Sequence, residues 1–367
     1  MKILTMGVEE EFILVDRGSR APVDRGPEVI AAARGELGAQ VQTEFFNAQV
    51  ETASRPTAAC RDLYDELTWM RGVVARSATR ERCRPVATGV PAVPPERPLT
   101  ITETERYHTM ADRFASRFSR TDGVVCGCHV HVGTLDRELA LALSSRMAPW
   151  LPVLQALTAN SPFARCRDTG FDSWRSVQYA SWPTVGPAPH LDEAQYLAHV
   201  AELVRTGAVL DRRMLYWYAR PSEHVPTLEI RVADANADVH TVVLLAALVR
   251  GLASSLLAEV LDGRRVPRVP LRRLMLAHEL AARHGLSGFG IDPYTGQARP
   301  AVELVDRLLA RARPGLDAVG DTEHVRREWQ RIRAHGAGAA RQRAAYRRHG
   351  RFTDVVDGLA ALTSTAA

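Results

Sequence analysis

The stretch Gly7-Val8-Glu9-Glu10-Glu11-Phe12 places three carboxylates in the middle of a segment that should form a buried strand. Side chains alternate between the two faces of a strand, so Glu9 and Glu11 share one face. Glutamate is disfavoured in mid-strand, and two carboxylates on one face repel each other unless a cation lies between them. An exposed acidic strand end is the simpler alternative, but apolar residues flank the run. The segment therefore predicts a strand with a cation-binding face.

Two later segments repeat this arrangement. The two histidines share a face in Cys128-His129-Val130-His131-Val132-Gly133, and a glutamate and an arginine share one in Leu228-Glu229-Ile230-Arg231-Val232. Taken singly, a core histidine is usually hydrogen-bonded and a Glu/Arg pair is usually a salt bridge between strands. Divalent metal and phosphate would account for all the segments together, because carboxylates and imidazoles bind metal ions and guanidinium groups bind phosphate oxygens.

Neighbouring segments offer further polar groups. Glu44 and Glu51 lie on the extended segment 41–53 and could add a third carboxylate to the first pair. Arg220, just before Pro221, adds a second guanidinium group. Arginine presents a planar fork of donors that matches carboxylate or phosphate oxygens. These residues predict an acidic, imidazole-bearing surface with arginines at its edge.

The cysteines beside the histidine pair could indicate zinc. Strand alternation places Cys126 and Cys128 on the face opposite His129 and His131. A tetrahedral zinc site needs its ligands to converge on one point. We therefore expect no zinc site of cysteine and histidine in this segment.

The bulk composition indicates an ordinary globular protein. The chain has 367 residues, of which 46% are hydrophobic and 24% charged, and its net charge is +5. The arginines near the C-terminus are best explained as solvated helix faces, because no nucleic-acid recognition motif accompanies them. Five scattered cysteines, an acidic N-terminal segment and the lack of an apolar run of about 18 residues predict a cytoplasmic protein without a membrane span.

Patterning along the chain predicts an α+β fold with an antiparallel sheet. We expect strands within 2–16, 41–53, 124–133 and 214–233, and helices at 27–35, 60–82, 103–120, 136–158, 191–206, 237–261, 271–284 and 300–315, with a helical tail from Thr322. The irregular segment 162–190 is rich in Trp and Arg and is interpreted as a substrate-facing loop. No linker divides the chain, which predicts a single catalytic domain over 1–367 with a helical C-terminal part from about 237.

The three strand motifs resemble those of the carboxylate–amine ligase family, also called glutamate–cysteine ligase type 2, among the glutamine synthetase-like ligases. The resemblance runs in order over roughly residues 5–350. Supporting blocks are Glu105-Arg106-Tyr107, Ala159-Asn160-Ser161-Pro162-Phe163, the segment from Asp168 to Arg175, Trp182-Pro183-Thr184 and Ala219-Arg220-Pro221.

The resemblance implies a fold and a reaction. The antiparallel sheet would curve into a funnel with flanking helices outside, and ATP with Mg²⁺ (or Mn²⁺) would lie on its polar face. A substrate carboxylate would attack the γ-phosphate to give an acyl phosphate, and an amine would then displace phosphate to form an amide. The substrates would be small amino-acid-like molecules, with glutamate–cysteine ligase activity as one form, and the protein would be a homodimer.

The resemblance also assigns roles to residues. The metal ligands would be Glu9, Glu11, Glu51 and Glu229, with Glu44 as a further candidate. His129 or His131 would join them or touch the nucleotide phosphates. Arg231 would contact the nucleotide and stabilise the transferring phosphoryl group, whereas Arg175 and Arg220 would bind the acid substrate or phosphate.

The chain departs from the family pattern at two places. Gly89-Val90-Pro91 stands where many members have Gly-Thr-His-Pro, and Tyr218 stands where many have Asp. We expect both positions near the substrate end of the site. Two other functions compete with the ligase. One is a metal-dependent amide hydrolase that uses His129, His131 and Glu229 around a bound water, and the other is a non-catalytic sensor of nucleotide or amino acid.

Overall fold

A computed structural model describes residues 3–118, 123–265 and 268–364. Its strands are Thr5–Asp16 (β1), Val41–Thr43 (β2), Gln49–Ala53 (β3), Cys83–Val86 (β4), Gly127–Gly133 (β5), Phe163–Ala164 (β6), Arg167–Asp168 (β7), Ala219–Pro221 (β8), Thr227–Asp234 (β9), Phe289–Ile291 (β10) and Ala298–Pro300 (β11). The strand positions predicted from the sequence are therefore confirmed within a few residues.

The α-helices span Gly26–Leu37 (α1), Cys60–Arg80 (α2), Glu105–Phe118 (α3), Arg137–Met147 (α4), Leu151–Thr158 (α5), Trp174–Tyr179 (α6), Glu193–Arg205 (α7), Val239–Leu261 (α8), Leu271–His284 (α9), Ala301–Asp317 (α10), Thr322–His335 (α11), Gly338–His349 (α12) and Phe352–Ser364 (α13). Short 3-10 helices lie at Gly38–Gln40, Ala148–Trp150 and Arg212–Met214. Helices thus dominate the described chain after β9, as predicted. The single-domain organisation stays a prediction.

One antiparallel sheet organises the described residues. Its strand order is β2-β3-β1-β5-β9-β8, and β4 pairs with the distal end of β1. The register sets Glu9 opposite His129 and His131 opposite Glu229 on neighbouring strands. Because cross-strand partners point to the same face, residues far apart in sequence gather on one polar surface.

The opposite face of the sheet is the core. Val8 of β1, Val130 of β5 and Ile230 of β9 pack with the apolar side chains of α8 in one buried cluster. By length and composition α8 could cross a membrane, with a mean hydropathy of 2.0 over 18 residues, yet 94% of that window is buried inside the protein. The expectation that no segment reaches this length is thereby corrected, and the burial is that of a core helix.

Two predicted elements differ from the structure. The helix expected over 136–158 is divided into α4, a 3-10 turn at Ala148–Trp150, and α5. Pro149 and Pro152 lie at this break, and proline cannot donate the hydrogen bond that a continuous helix requires. The segment predicted to be irregular, 162–190, contains β6, β7 and the short helix α6.

Glu10 is an unforeseen charge on the core face. Its carboxylate accepts hydrogen bonds from Nε and Nη2 of Arg71 on α2, at 3.0 and 2.5 Å. Arg71 also donates to the backbone carbonyls of Asn236 and Ala237, just after β9. Both side chains are almost completely excluded from solvent. The pair therefore joins helix α2 to the centre of the sheet.

His278 on α9 should make stability depend on pH. It is buried with Nδ1 2.5 Å from Gln155 Oε1, and burial lowers its pKa to about 3. In the unfolded chain this histidine takes up a proton near pH 6.5, whereas in the folded chain it stays neutral. The free energy of unfolding should therefore decrease as pH falls below about 6.5. From pH 7 to pH 5 we expect the free energy of unfolding of the wild type, measured with urea, to fall by about 2 kcal/mol more than that of His278→Gln. A difference between the two proteins that stays constant with pH would contradict this.

Candidate active site

A cavity of about 460 Å³ lies over the polar face of the sheet, within the size range of ligand sites. It gathers every residue that the sequence singled out for the site. The cavity lining includes the carboxylates of Glu9, Glu11, Glu44, Glu51 and Glu229, the imidazoles of His129 and His131, and the guanidinium groups of Arg106, Arg175, Arg213, Arg220 and Arg231. Strand alternation and antiparallel register suffice to explain how β1, β3, β5 and β9 bring the acids and histidines together.

Glu9, His131 and Glu229 form a potential metal site. One ligand atom of each lies within 4.8 Å of the others. His131 Nε2 is 3.2 Å from Glu9 Oε1, and its Nδ1 is 2.8 Å from the hydroxyl of Thr227. The Thr227 contact orients the ring, so that Nε2 is directed at the carboxylate. An imidazole held through its other nitrogen is the usual form of a histidine ligand.

The two carboxylates of this cluster are held ionised. Burial alone would raise the pKa of Glu9, but hydrogen bonds with His129 and His131 bring it well below its usual range. Burial also acts to raise the pKa of Glu229, yet the charges of Arg220 and Arg231 hold it well below the usual range. Both groups are therefore available as anionic ligands.

His129 occupies a different position from His131. Its Nδ1 is 3.2 Å from Glu9 Oε2 and 3.4 Å from Arg231 Nη1, and its Nε2 is 3.7 Å from Glu11 Oε1. Burial, followed by the charge of Arg231, lowers the pKa of His129. A neutral imidazole in this place can hydrogen-bond the acidic row without adding a second positive charge beside Arg231.

Glu11, Glu44 and Glu51 form a second acidic group in the same cavity. Glu11 and Glu51 are opposite each other in the β1–β3 register. Burial raises the pKa of all three, and the pKa of Glu51 is raised further by the negative charges of Glu9 and Glu44. Gly127 N–H donates to Glu11 at 2.7 Å, which offsets only part of the increase in the pKa of Glu11. A bound cation would relieve it.

Two buried arginines bring unpaired donors to the cavity wall. Arg231 donates to Glu229 and, through Nη2, to the Tyr179 hydroxyl at 3.2 Å. The Nε–H groups of Arg231 and Arg175 are buried without a hydrogen-bond partner among the described residues. A buried N–H group without an acceptor destabilises the folded protein. An anion with several oxygens could accept hydrogen bonds from both Nε–H groups. Gly127 makes room for this packing, because a Cβ there would lie 2.5 Å from Arg175 Nη2.

Arg220 is already engaged by the protein. Its Nε donates to Glu229 at 2.8 Å, and its Nη1 donates to the backbone carbonyls of Leu215 and Arg213 at 2.5 and 2.9 Å. These contacts favour a role in holding Glu229 over the predicted contact with substrate.

Comparison with known proteins decides the family. The model of glutamate-cysteine ligase family 2 matches residues 5–358. The chain belongs to this family. A Mycobacterium sp. (strain KMS) protein named "Putative glutamate--cysteine ligase 2-2" is 44% identical over 362 residues, which cover 98% of each chain. A Salinispora arenicola protein named "Putative glutamate--cysteine ligase 2" is 43% identical over 365 residues, or 99% of this chain and 96% of its own.

Solved structures show that the fold of this glutamate-cysteine ligase family 2 member is glutamine synthetase-like, as predicted. Glutamate–cysteine ligase from Francisella tularensis, solved in complex with AMP, superposes with a TM-score of 0.75 at 10% identity, over 100% of this chain and 89% of that one. A bifunctional glutathione synthetase from Pasteurella multocida superposes with a TM-score of 0.74 at 16% identity, over 99% of this chain and 52% of that one. The chain therefore spans about half of the bifunctional protein.

Family membership confirms the predicted class of enzyme. The chain is an ATP-dependent carboxylate–amine ligase of the glutamate–cysteine ligase type. The competing amide hydrolase receives no support from these relatives.

Sequence reasoning missed an aromatic wall of the cavity. The wall consists of Phe45, Tyr107, Tyr179, Trp182 and Tyr216. Adjacent rings stand 5.4 to 5.8 Å apart, as between Phe45 and Tyr107 or Trp182 and Tyr216. In the sequence, Tyr107 and Trp182 are recognisable only as parts of family motifs, and the Trp-rich loop is the one signal that points to this wall.

The two departures from the family pattern lie directly behind the cavity lining. The ring of Tyr218 packs against His278, with 4.4 Å between their centroids, and Val90 is buried in the interior. Neither residue lines the cavity described here. A Cβ on Gly89 would lie 2.9 Å from Arg175 Cβ, and the Tyr218 backbone carbonyl accepts from Arg231 N–H at 2.9 Å. The expectation that both positions lie near the substrate end stays a prediction.

Proposed function

We propose that this ligase joins glutamate, through a carboxylate activated by ATP, to the amine of cysteine. The observation that carries the proposal is one cavity in which a carboxylate–imidazole cluster adjoins two buried guanidinium donors that have no partner among the residues described. Metal-bound triphosphate satisfies both halves of this arrangement at once. The names of the 44% and 43% identical relatives support glutamate and cysteine as the substrate pair.

The cluster fits a divalent cation. The low pKa values of Glu9 and Glu229 favour their ionised forms, and His131 Nε2 faces Glu9 Oε1 at 3.2 Å, where a cation could bind between them. Two carboxylates suit Mg²⁺, and an imidazole is also acceptable to Mn²⁺. When bound, the cation would neutralise charge on the nucleotide phosphates. Glu11, Glu44 and Glu51 would extend this negative surface.

The reaction needs no nucleophile from the protein. A carboxylate oxygen of the acid attacks the γ-phosphorus, and the bond from that phosphorus to the oxygen of ADP breaks. The amine nitrogen then attacks the acyl carbon of the acyl phosphate, inorganic phosphate leaves, and the nitrogen loses a proton to solvent. The protein supplies position and charge.

The arginines divide this work. Arg231 and Arg175 donate to the phosphoryl and carboxylate oxygens through the Nε–H groups for which the described residues offer no partner. Arg220 holds Glu229 at the edge of the metal cluster. His129 fixes the carboxylate of Glu9, with which its Nδ1 is in hydrogen-bond range. The small-molecule substrates follow from this proposal, whereas a homodimer and a cytoplasmic location stay predictions.

Glu9→Gln should weaken metal use selectively. The amide keeps the size of the side chain and removes one anionic ligand, so we expect the Mg²⁺ concentration for half-maximal ADP release to rise at least about tenfold. The assay is an Mg²⁺ titration at saturating ATP and amino acids. Glu103→Gln is the matched control, because the Glu103 side chain is 81% exposed on the surface. A Glu9→Gln enzyme with the wild-type Mg²⁺ requirement would remove Glu9 from the metal site.

The function itself is tested by substrate dependence. ADP and phosphate should appear in equal amounts only when both glutamate and cysteine are present with ATP and Mg²⁺ or Mn²⁺. A panel of other amino acids and amines, run in the same assay, identifies a different pair if glutamate and cysteine are inactive. AMP as the product, or cleavage of amides without ATP, would overturn the proposal.

A further inference from the structure

Helix α6 carries two side chains to the cavity. Arg175 and Tyr179 are four residues apart and therefore lie on the same side of the helix. The helix start is anchored, because the hydroxyl of Ser173 donates to Asp234 at 2.7 Å and accepts from the backbone N–H of Ser176. Asp234 is the last residue of β9, the strand that carries Glu229 and Arg231. The position of α6 is thus tied to the catalytic strand.

Tyr179 touches both of the buried arginines. Its hydroxyl accepts a hydrogen bond from Arg231 Nη2 at 3.2 Å. The guanidinium carbon of Arg175 lies 4.9 Å from the centroid of its ring. Tyr179 is 6% exposed, so the hydroxyl cannot rely on bulk water for a partner.

Packing alone does not explain a tyrosine at this place. A phenylalanine would fill the same space and would keep the contact of the ring with Arg175. The hydroxyl adds one interaction, the hydrogen bond with Arg231. Arg231 Nη1 donates to Glu229 and Nη2 donates to Tyr179, which fixes the plane of the guanidinium group. Its Nε–H has no partner within residues 3–118, 123–265 and 268–364.

We propose that Tyr179 is a positioning residue for phosphoryl transfer, whose hydroxyl aligns Arg231 and whose ring supports Arg175. The inference rests on the proposed function, because it assigns the aligned Nε–H to an oxygen of the transferring group. Stabilisation by such donors depends on their being oriented before the reaction begins. Loss of the hydroxyl should therefore affect kcat more than the binding of substrates.

The test begins with Tyr179→Phe in the ADP-release assay. We expect kcat to fall about tenfold, with the KM for ATP close to wild type and a modestly lower thermal midpoint, because Arg231 Nη2 loses its acceptor. Tyr346→Phe is the control, because it removes a hydroxyl from a half-buried ring that packs on Phe352, away from the cavity lining. In an enzyme that already carries Arg231→Ala, adding Tyr179→Phe should lower kcat no further. Wild-type kcat in Tyr179→Phe, or penalties that multiply in the double variant, would overturn the inference.

A crystal structure of Tyr179→Phe gives a readout that does not depend on turnover. We expect the Arg231 guanidinium to leave its single orientation, whereas an unchanged orientation would overturn the inference. A wild-type enzyme that releases no ADP with any acid and amine would instead overturn the proposed function. The crystallographic comparison would still decide the role of Tyr179 in that case.

Discussion

Replacing Arg231 with alanine is expected to lower the kcat for ADP release about 1,000-fold, the scale known for arginines that stabilise a transferring phosphoryl group. Arg231 is buried in the cavity wall beside Glu9, His131 and Glu229, and its Nε–H has no hydrogen-bond partner in the described part of the chain. Because this donor acts on charge that develops during the reaction, the KM for ATP should change much less than kcat.

Two further variants separate catalysis from folding. Arg231→Lys keeps a positive charge near Glu229 but loses the planar fork, and we expect it to recover only a small part of the lost kcat. Arg137→Ala removes an arginine that pairs with Glu193 away from the cavity, so it should keep full turnover. Thermal midpoints of all variants identify any loss that comes from unfolding. Full turnover by a folded Arg231→Ala enzyme would refute the phosphoryl-transfer role.

Replacing Arg71 with methionine is expected to lower the free energy of unfolding by about 3–5 kcal/mol. The change leaves the carboxylate of Glu10 without its partner in the core, and it also removes donors from the carbonyls of Asn236 and Ala237. An isolated buried charge is far more costly than a buried ion pair. Urea unfolding followed by circular dichroism measures the effect.

The double variant Glu10→Met, Arg71→Met is the control for this prediction. It replaces the pair by apolar side chains, so it should be more stable than Arg71→Met alone. If the free energy of unfolding of Arg71→Met is within 1 kcal/mol of the wild-type value, the Glu10–Arg71 pair does not join α2 to the sheet as described. Although Glu9 and Glu10 are adjacent in sequence, Glu9 lines the cavity and Glu10 is buried in the core.

The alternation of strand residues made most of the site predictable. Glu9, His131 and Glu229 each stand in a short apolar segment, and period-two spacing shows which residues share a face. Antiparallel register then places them together, which the sequence could anticipate only through the family resemblance. The sheet and the polar face are therefore the parts that local rules and motifs capture best.

Other features depend on contacts that local patterns do not encode. Glu10 and Arg71 are 61 residues apart and meet only because α2 packs behind β1. The distinct positions of His129 and His131 depend on Thr227 and Arg231, which come from another strand. Tyr179 lies on a six-residue helix, too short to show a helical period. The positions of Val90 and Tyr218 likewise required the packed core.

We propose that a substrate carboxylate is activated as an acyl phosphate in this cavity. The most direct test supplies the wild-type enzyme with glutamate whose carboxylate oxygens are labelled with ¹⁸O, together with cysteine, ATP and Mg²⁺, and analyses the released phosphate by mass spectrometry. The bridging oxygen of an acyl phosphate leaves with the phosphorus when the amine attacks, so we predict one ¹⁸O atom in each phosphate formed. Phosphate that carries no ¹⁸O while the amide product accumulates would contradict the account.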